Sequence, residues 1–389
     1  MKLPKFPVTV IGSWPRSKEV QRAMRDKRAG RITDDEFQAV ANRAVLQCLK
    51  WQEEAGIDIV SDGEQRRDNY ISFVAEHLNN VRMLSVSELL DYVEDKSSFE
   101  EILGTLDVPA FSMSNPAATG KISRKKPLAL HDFLFLKQHT DKAAKVTLPG
   151  PYLLTRSMWI EGLSTDAYPT KEDLSKDIVH VLREELEDLI AAGVEFVQFD
   201  EPVLTEVVFT KKNANRTFMC GALTAKADAD EELAFALELI NEVTEGMLGR
   251  GTTIGVHICR GNWSTQDDIL LRGPYFPLIP YLEKANVDQL ALEYATPRAG
   301  EIDAIRNIGG KTLGFGVVNP RTVDVESVDD IVARVEEIRA TLPDEKIFLN
   351  PDCGFGTFAQ RPMNSDEIAC GKLKAMALAA KKLREMASV

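Results

Sequence analysis

The feature that most constrains this chain is a repeated alternation. A short β-branched or apolar run stops at Gly, Asp, Glu, Asn or Cys, and a longer stretch with helical spacing follows. Eight runs can be read: residues 8–13 (VTVIGS), 57–63 (IDIVSDG), 145–150 (KVTLPG), 196–201 (FVQFDE), 252–259 (TTIGVHIC), 289–293 (QLALE), 312–319 (TLGFGVVN) and 347–353 (IFLNPDC). Continuous apolar strands separated by helices indicate a parallel sheet buried on both faces. Eight of them predict an α/β fold closed as a (β/α)8 TIM barrel. The 389 residues suit either two or three domains or one elaborated barrel. No stretch has the composition of an interdomain linker, so the expectation is a single barrel over residues 1–389.

Several helix ends are legible. Thr33 and Glu36 form a capping box, and Phe37, Val40, Ala41, Ala44, Val45, Cys48 and Trp51 follow at helical spacing until Gly56 ends the helix. Thr170 precedes Glu172 and Asp173 and a helix running towards Gly193, and residues 366–386 read as a final helix. About eighty residues separate the second and third runs, far more than one crossover helix needs. Residues 71–139 are therefore expected to hold an insertion between strands 2 and 3, with helical patches near 86–93 and 99–103. A further long loop is expected over residues 209–225.

Acidic residues outnumber basic ones by 60 to 47, a net charge of −13, which argues against nucleic acid as a partner. The one basic run, residues 121–126 (KISRKK), is short and reads as a solvated loop. No segment approaches the ~18 apolar residues of a membrane span and residues 1–7 lack a secretory signal's apolar region, so no membrane partner and a cytoplasmic location are expected. The five cysteines are odd in number and scattered, a pattern of thiols or ligands rather than of a disulfide framework. Cys48, Cys220 and Cys370 are read as packing thiols.

Most of the unusual polar residues fall at strand ends, where a barrel of this kind keeps its functional groups. His257 and Cys259 are two apart on one strand and share a side. Cys353 arrives from another strand end, and Glu293 is placed to fill a fourth position. Imidazole with two thiolates is a borderline-soft set that prefers Zn2+ to Mg2+ or Ca2+, and a carboxylate ligand can leave when a substrate thiol arrives. A packed His and Cys is the alternative reading of H-x-C alone. Asp62 or Glu64 capping a helix, and Asp200 paired with a neighbour such as Arg67, are the alternatives for the remaining acids.

The motifs HICRGN, LALEY, NPDCGF, FDEP, SDGEQRRDN and VIGSWPR, in order from about Val8 to Gly356, together resemble the catalytic half of cobalamin-independent methionine synthase and its single-barrel relatives. The resemblance implies a Zn2+ cofactor on His257, Cys259, Glu293 and Cys353. It also implies that Ile11, Gly12 and Ser13 hold the carboxylate of homocysteine while Glu64 and Asp200 hold its ammonium group. Glu293 and Asp200 become the candidate catalytic residues. The implied reaction is capture of a substrate thiol as its thiolate, followed by in-line attack on the methyl group of a methylfolate or methylcorrinoid, the latter carried by a corrinoid protein or free. Methionine would be the product.

Two departures stand out. The longer family members resemble two fused barrels, so an amino-terminal contribution to folate binding is missing. The family's proton-donating His, in a D-I-H-S-P stretch, has no counterpart here: residues 316–322 read GVVNPRT, which places Arg321 at that position. Arg stays protonated and cannot shuttle a proton, so a donor with a better leaving group is favoured. The alternative acceptor is another small thiol, as in epoxyalkane:coenzyme M transferase, whose sulfonate calls for a cationic pocket; Arg16, Arg66, Arg67, Arg260, Arg298 and Arg321 are available for it. A noncatalytic zinc- or thiol-binding barrel is the reading from a different class.

Overall fold

The computed structural model describes residues 3–89, 91–92, 114–209, 228–266 and 270–387. Its strands in chain order are β1 (Ile59–Val60), β2 (Leu78–Ser85), β3 (Ser114–Arg124), β4 (Ala143–Pro149), β5 (Phe196–Asp200), β6 (Thr253–Ile258), β7 (Gln289–Leu292), β8 (Thr312–Val318) and β9 (Ile347–Pro351). Seven of these form one parallel sheet in the order β1-β4-β5-β6-β7-β8-β9. Every residue of β4, β5, β7 and β9 is buried, as expected of strands covered on both faces. The main apolar cluster joins Val146, Val197, Val256, Leu290, Phe315 and Leu349 of the strands to Leu182, Leu186, Leu239, Leu373 and Met376 of the surrounding helices.

The first apolar run of the sequence forms only isolated bridges, parallel from Val8 to Leu349 in β9 and from Thr9 to Ile59 in β1. Both outer strands of the sheet thus meet the same two residues. Beyond Thr9 the backbone acceptors are taken by side chains instead of a ladder. Lys145 Nζ donates to Val10 O (2.7 Å), Gln198 Nε2 to Ile11 O (3.2 Å) and Ser61 Oγ to Gly12 O (3.0 Å). Strand β1 is short for a similar reason: the Gln52 amide exchanges two hydrogen bonds with the backbone of Ser61, at 2.8 and 2.9 Å. These side-chain bonds free the chain to turn just where its polar residues begin.

The helices start and stop where the sequence indicates. Asp34–Ala55 carries the capping box of Thr33 and Glu36 and ends at Gly56, whose φ of 82° is left-handed. Lys171–Ala191 is capped by Thr170, and Asp366–Met386 by Ser365. Cys48 and Cys370 are packed within apolar surroundings on two of these helices. Cys220 lies outside the described residues, as do the helical patch expected at 99–103 and all of the expected 209–225 loop except Phe209, which ends the helix Val203–Phe209. Of the patch at 86–93, the described part holds a single turn, Val86–Leu89.

Between β1 and β4 the principal described feature is an antiparallel pair, β2 with β3. The chain returns from it to the main sheet through residues 128–130, whose backbone N–H groups all donate to the buried Glu185 carboxylate at 2.6, 2.7 and 3.0 Å. Arg124 at the end of β3 pairs with the same carboxylate at 2.8 Å. Glu185→Ala would leave three buried amides without their acceptor and Arg124 with Asp188 alone, a loss of about 3–5 kcal/mol. Urea denaturation should show that fall in unfolding free energy.

Candidate metal centre and substrate pocket

Parallel pairing sets the frame. Asp200, the last residue of β5, lies in register with His257 near the end of β6. Side chains two apart on a strand share a face, so Cys259 follows His257 to the same side. Cys353 comes two residues after β9. The donor atoms of His257, Cys259 and Cys353 lie within 4.8 Å of one another, and all three residues are buried. The Cys353 thiol donates to Cys259 Sγ at 3.8 Å. Glu293 is outside this group, and its Oε1 accepts from Arg298 Nε at 2.9 Å while Oε2 accepts from the Arg260 N–H at 2.9 Å.

The group opens into a pocket lined by Ile11, Ser13, Glu64, Tyr70, Asp200, Pro202, His257, Cys259, Gly261, Asn262, Cys353, Gly354 and Thr357. Of the residues expected to hold an amino acid, Ile11, Ser13, Glu64 and Asp200 therefore share one cavity with the three metal-ligand candidates. Gly12 stands behind them. A Cβ on it would lie 2.5 Å from Glu64 Oε1 and 2.7 Å from Thr147 Cγ2, so glycine is what lets the Glu64 carboxylate close against this turn. At Gly354 a Cβ would overlap Ser13 Oγ, so the loop carrying Cys353 and the serine also meet through a glycine. A larger cleft of about 940 Å³, lined by Phe37, Arg66, His77, Met83 and others, holds none of these candidates among its described lining.

Glu64 has a left-handed backbone, with φ of 54°, uncommon for a residue with a side chain. Arg16, itself buried, holds it there: its guanidinium donates to the carbonyls of Glu64 (2.8 Å) and Arg67 (3.0 Å) and to that of Gly356. The Glu64 carboxylate accepts from Thr147 Oγ1 at 2.9 Å, and its Oε2 makes no hydrogen bond among the described residues. Burial raises its pKa, against the pull of Arg67 and Arg16. Asp62 caps the turn by accepting from the Glu64 N–H at 3.0 Å. Asp200 does not pair with Arg67, which donates to Thr147; its Oδ1 instead accepts from His257 Nδ1 (2.9 Å) and Gln198 Nε2 (2.9 Å).

The charges here are strongly interdependent. Burial would lower the His257 pKa, but the hydrogen bond to Asp200 and the charge on Cys259 raise it to about 9. Its Nε2 donates to Asp352 O at 3.3 Å. The hydrogen bond from Cys353 brings Cys259 down to about 7 against burial, with the His257 charge helping, while the Cys353 thiol is held well above the usual range as donor and by burial. Glu293 is held low despite burial, by Arg298, Arg321 and Arg260. Asp352 is pushed up to about 7 by burial and by the Glu293 charge. Its Oδ1 accepts from the N–H groups of Tyr294 (2.9 Å) and Ala295 (2.7 Å), and Arg321 Nη2 lies 3.9 Å from Oδ2 and 3.7 Å from Glu293 Oε1.

All six arginines considered as anion binders are engaged elsewhere. Arg66 bonds Gln38 and Asn42, Arg260 donates to Gly273 O and Ala299 O, and Arg298 and Arg321 surround Glu293. None of the described residues lining the pocket is Arg or Lys. Sequence reading missed Gln198, Lys145 and Asp352 as parts of the site. Gln198 and Asp352 sit inside the FDEP and NPDC neighbourhoods and could have been found as polar residues interrupting apolar strand ends.

Comparisons with known proteins show the family. Residues 6–382 match the family model described as the cobalamin-independent synthase, catalytic domain. The chain is 28% identical over 363 residues to a methionine synthase of Pyrococcus abyssi, spanning 93% of this chain and 89% of that one. It is 27% identical over 387 residues to a methionine synthase of Saccharolobus solfataricus, spanning 99% and 96%. A B12-independent methionine synthase from Shewanella sp. W3-18-1, solved with selenomethionine, superposes with a TM-score of 0.74 at 23% identity, covering 99% of this chain and all of that one. The first two relatives are nearly matched end to end, so one unit of this length is a form these proteins take. The chain belongs to the cobalamin-independent synthase family, catalytic domain.

Proposed function

We propose that this protein is a zinc-dependent thiol methyltransferase that converts homocysteine to methionine, with a methylfolate or a methylcorrinoid as donor. The observation that carries the reading is the meeting of His257, Cys259 and Cys353 donor atoms within 4.8 Å, in a pocket that also contains the Glu64 and Asp200 carboxylates. The methionine synthases of Pyrococcus abyssi and Saccharolobus solfataricus support it. The same reading takes residues 1–389 as one (β/α)8 barrel, with residues 8–9 as the eighth stave and residues 71–139 as its insertion. Four buried free thiols, Cys48, Cys259, Cys353 and Cys370, support a reducing compartment such as the cytoplasm.

The donor set fits zinc: one imidazole and two thiols, with three protein ligands leaving room for a substrate. Bound zinc would supply stabilisation of the substrate thiol as its thiolate, the strong nucleophile. Asp200 accepts the Nδ1 proton of His257, so Nε2 is the nitrogen left for metal. Glu293 is the proposed fourth ligand. Its carboxylate is committed to Arg298 and the Arg260 N–H, and binding metal would exchange one of those contacts.

Glu64 and Asp200 give the pocket two carboxylates for an ammonium group, and Ser13 with the backbone of Ile11 and Gly12 is the proposed donor set for a carboxylate. Without a lining Arg or Lys among the described residues, the pocket suits an amino acid better than a sulfonate. Arg321, buried beside Glu293 and Asp352, stabilises charge and does not shuttle protons. This favours the methylcorrinoid, whose leaving group needs less acid assistance. The ligand group opens into a pocket that also holds the Glu64 and Asp200 carboxylates, which weighs against the noncatalytic reading.

Purified protein supplied with homocysteine is expected to make methionine from methylcobalamin or from a methylfolate; failure with both donors would overturn the assignment. Glu64→Gln keeps the shape and removes the charge. It should raise KM for homocysteine roughly ten- to hundredfold, the worth of one charged hydrogen bond, at unchanged zinc content.

Zinc loading should depend on pH in a fixed direction. His257, held up to about 9, is protonated at neutral pH, and Cys353 is a thiol; both must lose protons to bind metal. Apparent affinity should therefore rise as pH rises towards about 9, and loading should release protons. Calorimetry of zinc addition in buffers of different ionisation enthalpy measures this. A heat independent of buffer would contradict it.

A further inference from the structure

The interior of a (β/α)8 barrel is normally filled by branched apolar side chains, yet one layer below the candidate ligands the strands carry Lys145 on β4 and Gln198 on β5, both buried. Lys145 Nζ donates to Val10 O at 2.7 Å and to Gln198 Oε1 at 3.2 Å. Gln198 Nε2 then donates to Ile11 O at 3.2 Å and to Asp200 Oδ1 at 2.9 Å. The Asp200 carboxylate in turn accepts from His257 Nδ1 at 2.9 Å.

We propose that Lys145 and Gln198 are positioning residues for the metal centre: together they form a one-way hydrogen-bond relay that fixes the tautomer and orientation of His257. This inference rests on the zinc reading of the pocket. The direction follows from donor and acceptor chemistry alone. Ile11 O and the Asp200 carboxylate can only accept, so Gln198 must turn its NH2 towards them and its carbonyl oxygen towards Lys145. A flipped amide would set its oxygen against both of those acceptors, two repulsive contacts in place of two hydrogen bonds, whether Lys145 is charged or neutral. With the amide fixed, Asp200 Oδ1 keeps the Gln198 N–H as one donor and accepts the Nδ1 proton of His257 as the other. Nε2 is then the nitrogen left to bind metal.

Burial lowers Lys145 to about 7, against the attraction of Asp200. The neutral amine retains two N–H groups, enough for its two acceptors. The relay also ends at both halves of the pocket, because Gln198 holds the carbonyl of Ile11, a residue proposed to bind the substrate carboxylate. Outer partners of a metal-binding imidazole are worth about ten- to hundredfold in metal affinity.

The test uses the full-length protein with Lys145→Met, Gln198→Leu and the double variant, with folding checked by circular dichroism. Zinc affinity is read by competition with a chelator, and the ligand field by the d–d absorption of the Co2+-loaded protein. Each single variant should lose about ten- to hundredfold in zinc affinity with an altered Co2+ spectrum. The double should be no weaker than the weaker single, since both break one chain. Losses that multiply, or a folded Lys145→Met with wild-type affinity and spectrum, would overturn the proposal.

Should Lys145→Met not fold, Gln198→Met decides. Its thioether is a weak acceptor for Lys145 and cannot donate to Asp200, so wild-type zinc affinity in that variant is equally fatal. In metal-free protein, the 15N resonances of the His257 ring should shift in every variant. If wild-type protein takes up no zinc the metal reading fails, yet the relay is still decided by whether those resonances move.

Discussion

The hydrogen bond between Asp200 and His257 is the contact on which the site depends. It exists because the two residues are in register on adjacent parallel strands, β5 and β6, and it spans 2.9 Å. A buried imidazole beside two buried thiols has several competing arrangements of protons. One carboxylate accepting at Nδ1 removes most of them and leaves Nε2, which donates to Asp352 O, as the nitrogen a ligand takes once that proton is lost. The expectation that Asp200 contacts the substrate ammonium group thus acquires a second aspect, since the same carboxylate lines the pocket and orients a metal-ligand candidate.

The second constraint is electrostatic. Glu293 and Asp352 are buried within reach of Arg298 and Arg321, and isolated charges would be prohibitively costly there. The arginines keep Glu293 ionised. Arg321, which the resemblance sets at the position of a proton-donating His, lies 3.7 Å from Glu293 and 3.9 Å from Asp352.

Much of this was legible in the residues. Strands β4 to β9 follow the apolar runs closely, because burial on both faces leaves a continuous hydrophobic signature, and the Thr33, Gly56 and Thr170 signals mark helix ends through local chemistry. The run at residues 8–13 was less well read: its carbonyls bond to Lys145, Gln198 and Ser61 side chains from distant parts of the chain. The β2–β3 pair was missed because LNNVRMLS and SNPAATGKISR show neither alternation nor an apolar run. Likewise His257, Cys259 and Cys353 were readable from type and position at strand ends. The clamp on Glu293 was not, since which of six arginines reaches it depends on loop paths that no spacing encodes.

If His257, Cys259 and Cys353 hold zinc as proposed, a substrate thiol would join it there. X-ray absorption at the zinc edge of the loaded protein, recorded without and then with homocysteine, measures this directly. One additional sulfur neighbour is expected when homocysteine is added. A zinc shell that does not change would contradict it.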